Sequence, residues 1–543
     1  MQTNSPSGVT APAAANSAAT DSAASAAEAT AAAVGASAVD ASAASTVGTS
    51  AAAASAASNL LDRLARIVGG KHLVTGGDKL RPYTEELRGR YSSACRAVVL
   101  PADAAQVAEV VKCCAAAGVS IVPQGGNTGA MGGAVARASQ VILNLARMNR
   151  ISQVDPVNDT MRVEAGCILA NVQAAAAAVG RFFPLSLGAQ GSCQIGGNLA
   201  TNAGGINVLR YGNTRDLVLG VQAVLADGRI WDGLNSLRKN NTGYDLKNLL
   251  IGSEGTLGII TAATLKLFPA PKCRVVVVAG LANPDAALEL LGRLREASSA
   301  RLSTFELMAN IAVQSAVKHI AGQTDPLGGE HDWYALIVAD SSADDGDGNS
   351  NSNGDGDGDS GGGGNLRHEM EAGLARALED GVLEDAVIAD SESQAQRLIL
   401  LRENIVEAQN FEGGSIKHDV SVPVAQVPEF IRRVHAAVGD AMPGARAYPY
   451  GHMGDGNIHF NISQPPDMDK QQFLKQWRPM NRIVHEIAHQ LGGSFSAEHG
   501  IGITKLEEMA RYKDAVELDL YRRIKRALDP HEVLNPGKVL PPL

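Results

Sequence analysis

Two histidines flank a glycine break in YGHMGDGNIHF, Tyr450 to Phe460, and a Glu-His pair follows in SAEHG, Ser496 to Gly500. A strand, a turn through Gly454, Asp455 and Gly456, and a returning strand would bring His452 and His459 to one place, where Glu498 can add a carboxylate. Two neutral imidazoles and one carboxylate suit Zn2+ or another divalent transition ion. Three protein ligands leave coordination positions open, which is the pattern of a catalytic rather than a structural site. A molecule that chelates through a carboxylate and its neighbouring hydroxyl would fill them. Either histidine alone would read as a satisfied hairpin residue, but spacing, turn and Glu-His pair together predict a metal centre at His452, His459 and Glu498.

The scaffold that must position these groups is large. At 543 residues the chain is long enough for about three to four folded units. Residues 1–58 are nearly all Ala, Ser, Thr and Gly with no Lys or Arg, which predicts a disordered tail and excludes a transit or signal peptide. An Asp, Gly, Asn and Ser tract, residues 341–365, cannot bury apolar surface and is expected to loop out. Within it Gly356, Gly358 and Gly361 mimic a dinucleotide fingerprint without a preceding strand, and Asp355, Asp357 and Asp359 mimic a calcium loop whose sixth position is Ser360 and twelfth Leu366. The tail's acids, Asp21, Glu28 and Asp40, together with seven aspartates from Asp340 to Asp359, equal the net charge of −10, so the body is formally neutral. No basic stripe with interleaved aromatics is present, which argues against nucleic-acid binding. No apolar run approaches the roughly 18 residues of a membrane span. Six cysteines without a CxxC pair fit reduced thiols and a cytoplasmic location.

In the first folded unit, RAVVLP at Arg96, an amphipathic segment after the N-cap Asp103 and VSIVPQGG describe a β-α-β unit. Its second strand ends at Pro123 and opens into QGGNTGAMGG, Gln124 to Gly133. Successive backbone N–H groups in such a loop can cradle a pyrophosphate, although an ordinary glycine turn has the same composition. A second small-residue stretch, Gly188 to Gly205, is hard to explain unless something flat packs on its backbone. A hairpin with Asp227-Gly228 as a two-residue turn and the segment LIGSEGTLGIIT, Leu250 to Thr261, follow. Three such loops suit a ligand with several parts.

QGGNTGAMGG, SCQIGGNLATNAGG, RYGNTRDLVLGVQAVLADG, RKNNTGYDLKNLLIGSEGTLGIIT, GHMGDGNIHF, SAEHGIG and LDPHEVLNPGKVL together resemble the FAD-linked D-2-hydroxyglutarate dehydrogenases, flavoproteins of the vanillyl-alcohol-oxidase type. FAD-linked D-lactate dehydrogenases and the glycolate oxidase flavin subunit are neighbouring families. The resemblance spans Leu60 to the C-terminus apart from the acidic insertion. It implies an α+β fold: a lead-in over residues 59–92, a two-part FAD-binding domain of the p-cresol methylhydroxylase (PCMH) type over 93–272, a substrate and metal domain with an antiparallel sheet over 273–510, and a segment over 511–543 returning to the flavin. It implies that Pro123, Gln124, Gly125, Gly126, Asn127, Thr128, Gly129, Gly132 and Gly133 hold the pyrophosphate. Ser192, Gly196, Gly197, Asn198, Thr201, Asn202 and Gly205 would lie along the flavin, with Glu254, Gly255, Ile260 and Asn535 also touching FAD. The first loop offers no His and Cys193 reads as a packing residue, so FAD is expected to be noncovalent.

LRENIVEAQNFEGGSIKHDVSVP, Leu401 to Pro423, resembles the family segment that sets Arg402 and Lys417 over the bound acid, and Asn461 is implied to orient it. Arginine can grip a carboxylate through two parallel hydrogen bonds, and lysine adds a compact charge. Where the family carries a hydroxyl four residues after the arginine, this chain has Val406. The implied reaction has the metal hold the C1 carboxylate and C2 hydroxyl, His499 take the hydroxyl proton and the C2 hydride pass to flavin N5. His418 and His485 read as structural. D-lactate, glycolate or D-malate are alternative substrates; a zinc hydrolase or a flavin carrier are readings from other classes. The acceptor is expected to be an electron-transfer flavoprotein or a quinone, and a homodimer is possible.

Overall fold

The run Ala97–Val99 is buried on every residue and forms a strand because β-branched side chains fill both faces of a covered sheet. The computed structural model describes residues 59–86, 88–343 and 365–542. The expected tail and the fingerprint and calcium mimics lie outside them. Of the expected insertion, Ser341 still pairs with Cys273 in a strand, and Asn365 caps a helix by accepting from the His368 backbone N–H.

The first sheet is four-stranded: Leu73–Val74 (β1), Ala97–Val99 (β2), Ile121–Gln124 (β3) and Val141–Asn144 (β4), in the order β1–β2–β4–β3. β2 and β3 both run parallel to β4, so the expected β-α-β unit exists with β4 inserted between its strands. Asp103 accepts from the Gln106 N–H at 2.8 Å and caps helix Ala104–Ala116, worth about 1 kcal/mol. Val533 and Asn535 exchange backbone hydrogen bonds with Ile121, both at 2.7 Å, so the C-terminal segment returns to the edge of β3.

A second sheet of five antiparallel strands comprises Ile151–Asp155 (β5), Thr160–Glu164 (β6), Val218–Val224 (β7), Ile230–Asp232 (β8) and Ile259–Lys266 (β9). The β7–β8 connection departs from the two-residue turn expected. Leu225 N–H donates to Arg229 O and Gly228 N–H to Leu225 O, leaving a three-residue loop that ends on Gly228 at φ +79°. The extra residue is accommodated because glycine reaches the left-handed conformation freely.

The third sheet has eight strands: Cys273–Leu281 (β10), Leu302–Ala309 (β11), Trp333–Ser341 (β12), Asp385–Ile388 (β13), Ser415–Ile416 (β14), Val420–Ser421 (β15), Arg446–His452 (β16) and Asn457–Ser463 (β17). Their order is β13–β10–β12–β11–β16–β17–β14, with β15 also pairing with β17. Val275, Val277, Ala279 and Leu281 of β10 face one hydrophobic cluster while Val276 and Val278 face another, which follows the two-residue alternation of a strand. Helices Pro284–Ala297, Leu366–Glu379 and Val427–Ala441 cover the first face, and Asn310–His319 with Glu392–Ala408 covers the second. Each buried Val or Leu withdraws enough surface for about 1.5–3 kcal/mol, which holds rigid the sheet that carries the histidines.

Candidate active site

β16 and β17 form the expected hairpin, with Tyr450 opposite His459 and His452 opposite Asn457. His452 and His459 are therefore diagonal neighbours on one face, their ring centroids 5.6 Å apart. Gly456 at φ +85° makes the turn, and a Cβ there would stand 2.1 Å from the Val422 carbonyl oxygen. Glu498 comes from the loop after Ser494, with its carboxylate oxygens 3.9 Å from His452 Nε2 and 3.7 Å from His459 Nε2. One ligand atom from each of the three lies within 4.8 Å of the other two, and no other such cluster occurs among the described residues. The donor set is chemically complete for a divalent ion with open positions.

Two residues that sequence reading passed over organise this triad. Glu306 lies on β11 directly opposite His452, 1% exposed, and its carboxylate holds His452 Nδ1. Nε2 is thereby aimed at Glu498, as second-sphere carboxylates orient metal-binding imidazoles. The other Glu306 oxygen accepts from Arg402 Nε at 2.6 Å. Burial alone would raise the Glu306 carboxyl, but Arg402 and His452 outweigh it and bring it down to about 2. Burial likewise opposes the His452 imidazolium, yet Glu306 draws it up to about 9, whereas burial takes His459 down to about 4. A lone acid in the otherwise apolar strand LSTFELMA was the signal available.

Asp419, 2% exposed, accepts through one carboxylate oxygen from the backbone N–H groups of Glu498, 3.2 Å, and His499, 2.9 Å. The same oxygen stands 3.2 Å from His499 Nδ1, and the other oxygen accepts from Asn457 Nδ2 at 3.1 Å. Burial pushes the Asp419 carboxyl up, but His499 and Lys505 hold it far below the usual carboxylate range. An Nδ1–H given to Asp419 leaves His499 Nε2 as an acceptor, 3.8 Å from Glu498 Oε1. The His499 ring stacks on His459 with centroids 6.0 Å apart.

Arg402 is buried, and its guanidinium lies 4.7 Å from the Tyr450 ring centroid. Lys417, half-buried between β14 and β15, has its ammonium lowered to about 8 by burial and by Arg88 and Arg90. Asn461, expected to orient the substrate, is held by its protein neighbours. Its oxygen accepts from the His418 N–H, and its Nδ2 donates to Gln409 at 2.9 Å and to the Tyr450 hydroxyl at 3.0 Å. Through the last of these it fixes Tyr450. Val406, where the family hydroxyl is lacking, is 46% exposed and stands one helical turn after Arg402. His418 and His485 are buried and edge-on at 5.8 Å, with burial taking their imidazoliums to about 4 and about 2.

A cleft runs along the glycine loops. Of the residues expected around FAD, Pro123, Gln124, Gly125, Gly126, Asn127, Thr128, Gly129, Gly133, Gly196, Gly197, Asn198, Thr201, Glu254, Gly255 and Ile260 line it, and so does His499. Gly129 and Gly197 have open space where a Cβ would stand, leaving the backbone accessible to a ligand. Five expected residues sit elsewhere, for packing reasons. Ser192 offers its carbonyl to Gly126, where a Cβ would meet it at 2.2 Å; Gly205 abuts the Ser186 carbonyl at 2.1 Å; Gly132 abuts Ile503 at 2.7 Å. Asn202 accepts from the Arg215 N–H at 2.9 Å. Asn535, 2% exposed, donates to the carbonyls of Gly133 and Glu254 and so braces the cleft wall from behind. Gly126, Gly132 and Gly205 thus serve close packing of the loops. The Gln194 side-chain oxygen, buried without a partner in that wall, awaits a donor such as a flavin N–H. Cys193 is buried, and Asn198 Nδ2 donates to its sulfur at 3.6 Å.

The chain matches a family profile described as FAD binding domain over residues 95–233, and one described as FAD linked oxidases, C-terminal domain over 270–351 and 359–539. It is 36% identical over 477 residues to the mitochondrial D-2-hydroxyglutarate dehydrogenase of Arabidopsis thaliana, covering 88% of this chain and 80% of the relative. It is 35% identical over 476 residues to the D-2-hydroxyglutarate dehydrogenase of Xanthomonas citri pv. viticola, covering 88% and 96%. Among solved structures, p-cresol methylhydroxylase with substrate bound superposes with a TM-score of 0.69 at 16% identity, covering 90% of this chain and 97% of that one, which shows a shared fold. Among the described residues no helix is long and apolar enough to cross a membrane. Family profile, relatives and the PCMH-type α+β fold together place the chain in the FAD linked oxidases, within the D-2-hydroxyglutarate dehydrogenase family.

Proposed function

We propose that the chain is an FAD-dependent dehydrogenase that converts D-2-hydroxyglutarate, or a close D-2-hydroxyacid, to the 2-oxoacid. One observation carries the reading: His499 lines the FAD cleft while its ring stacks on the metal-ligand candidate His459. Base, metal ligands and flavin cleft thus converge on one side chain. When bound, FAD supplies a hydride acceptor and a divalent ion, Zn2+ by donor set, supplies polarisation of the substrate hydroxyl. His499 Nε2 takes the hydroxyl proton, and Asp419 stabilises the imidazolium that results. Arg402 and Lys417 attract the acid, and Asn461 holds Tyr450 under Arg402. D-lactate or D-malate would engage the same chelating end and differ only at the other. A zinc hydrolase would leave the FAD cleft without purpose, and a flavin carrier would leave His452, His459 and Glu498 without purpose.

Reducing equivalents leave to an electron-transfer flavoprotein or a quinone, and we place the protein in the cytoplasm, consistent with six free cysteines. The plant relative is named as mitochondrial. The deciding experiment is anaerobic mixing of purified holoprotein with a panel of D-2-hydroxyacids, with metal content measured in parallel. Bleaching of the flavin bands by D-2-hydroxyglutarate is expected, and failure of every member of the panel to bleach them would reject the dehydrogenase. His459→Ala is expected to lose metal and bleaching while keeping FAD; normal turnover in that variant would reject the metal site.

A further inference from the structure

Helix Leu506–Tyr512 follows the loop that carries Glu498 and His499, and it packs against helix Trp477–Gln490. His485 Nδ1 stands 3.7 Å from Glu508 Oε1, and the His489 and Tyr512 rings lie 5.2 Å apart. Helical spacing sets Glu508 and Tyr512 on one face of the shorter helix, and Trp477 and His485 within one face of the longer. These four side chains line one cavity, which shares no lining residue with the FAD cleft or with His452, His459 and Glu498.

Each of the four has a buried polar atom with no hydrogen-bond partner among the described residues: Trp477 Nε1, His485 Nδ1, Glu508 Oε2 and the Tyr512 hydroxyl. His485 is 2% exposed, and its 3.7 Å separation from Glu508 exceeds a hydrogen bond. A buried donor or acceptor left unpaired costs about 1–3 kcal/mol, so native proteins pair nearly all of them. Four such atoms around one cavity point to a ligand that meets them together.

The lining sets the chemistry of that ligand. An indole N–H can only donate, and a phenol hydroxyl donates readily. Burial raises the Glu508 carboxyl, which favours its donating form, and takes the His485 imidazolium down to about 2, so that ring is neutral. Arg478, Arg482 and Arg511 also line the cavity, and Glu507 stands 4.0 Å from Arg478 and 3.7 Å from Arg482. Three guanidiniums facing one exposed acid leave the cavity positive and rich in donors, which selects an anion with acceptor oxygens. Tyr91, Ile503 and Leu506 add apolar surface that suits a carbon skeleton better than a hydrated inorganic ion.

We propose that this cavity is a second ligand site, taking a small organic carboxylate through Trp477 Nε1, the Tyr512 hydroxyl and the Arg482 guanidinium. It stands independently of the dehydrogenase reading.

The test is calorimetric titration of the full-length, FAD-loaded protein with benzoate, with tryptophan emission followed in parallel. Saturable binding with Kd of about 1 mM or below is expected. Arg482→Gln should weaken it roughly 10-fold and Tyr512→Phe roughly 3- to 10-fold, as loss of a charged and of a neutral hydrogen bond. Both variants should keep their FAD, because neither residue lines the FAD cleft. Trp477→Phe should remove the emission change, since the other two tryptophans, Trp231 and Trp333, lie outside this cavity. Lys417→Gln separates the cavity from the substrate residues and should leave benzoate binding unchanged. Absence of saturable binding up to about 10 mM would overturn the proposal. So would equal binding of inorganic phosphate, or a Kd that Lys417→Gln alters while Arg482→Gln and Tyr512→Phe do not.

Discussion

Arg402 Nε donates to Glu306 at 2.6 Å, and the remaining oxygen of that carboxylate holds His452 Nδ1. One buried acid thus serves both Arg402 and the first metal-ligand candidate. Glu306→Gln keeps the shape but removes the charge that balances two cations, so metal affinity should fall about 10- to 100-fold with FAD content unchanged. Metal analysis after dialysis, alongside flavin absorbance, reads both. Glu306→Ala strands Arg402 without a partner and should cost about 3–5 kcal/mol in denaturant unfolding; a loss below the error of such a measurement would show that the pair is not buried as described.

His499 and Asp419 act as one unit. His499→Ala should slow flavin reduction on the order of 10²–10⁴-fold while metal and FAD stay bound. Asp419→Asn should fall in the same range, and the double variant should lose little more than the worse single one. Stopped-flow reduction under anaerobic conditions gives all three rates; multiplicative losses would separate the two residues.

Substrate binding should weaken with rising pH. The Lys417 ammonium is lowered to about 8, so its charge is present below that pH and lost above it. KM for an acidic substrate should therefore climb from about pH 8 upward, and Lys417→Arg, whose charge persists, should flatten the profile. A KM independent of pH between 7 and 9.5 in wild-type enzyme would contradict this.

Two glycines separate packing from ligand contact. Gly126→Ala drives a methyl group to 2.2 Å from the Ser192 carbonyl oxygen and should destabilise the fold by about 1–3 kcal/mol. Gly197→Ala meets nothing in the protein and lies inside helix Ile195–Thr201, so the FAD-free chain should be as stable or more stable, by up to about 1 kcal/mol, while FAD affinity drops. Parallel unfolding and FAD titration curves distinguish the two; identical behaviour would mean that Gly197 does not face the cofactor.

What the sequence displayed clearly was local. His452 and His459 share one hairpin whose turn glycine is visible, and the loops after β3 and before helix Ile195–Thr201 announce themselves by composition. Asp419 gave no such sign, and Glu306 only that of a single acid in its strand, because they reach His499 and His452 across 80 and 146 positions of chain through contacts that no local pattern encodes. The burial of Arg402 was hidden for a related cause: it comes from packing of a helix on the sheet, not from its own sequence neighbours. The glycines misled in the other direction. Small size was attributed to a ligand where Gly132 and Gly205 need it for touching loops, and Gly126, which lines the cleft, needs it against the Ser192 carbonyl as well.

Glu254 lines the FAD cleft, and its two carboxylate oxygens accept from the backbone N–H groups of Ile501 and Gly502 at 2.7 and 2.9 Å, two to four positions beyond Glu498 and His499. A strap of two hydrogen bonds therefore ties the wall of the FAD cleft to the loop that carries the metal-ligand candidate Glu498. Thermodynamic reciprocity then requires that whatever factor FAD lends to metal retention, the metal returns to FAD. Chelation should loosen the flavin, and stripping the flavin should free the ion, with Glu254→Gln weakening both halves of that exchange together.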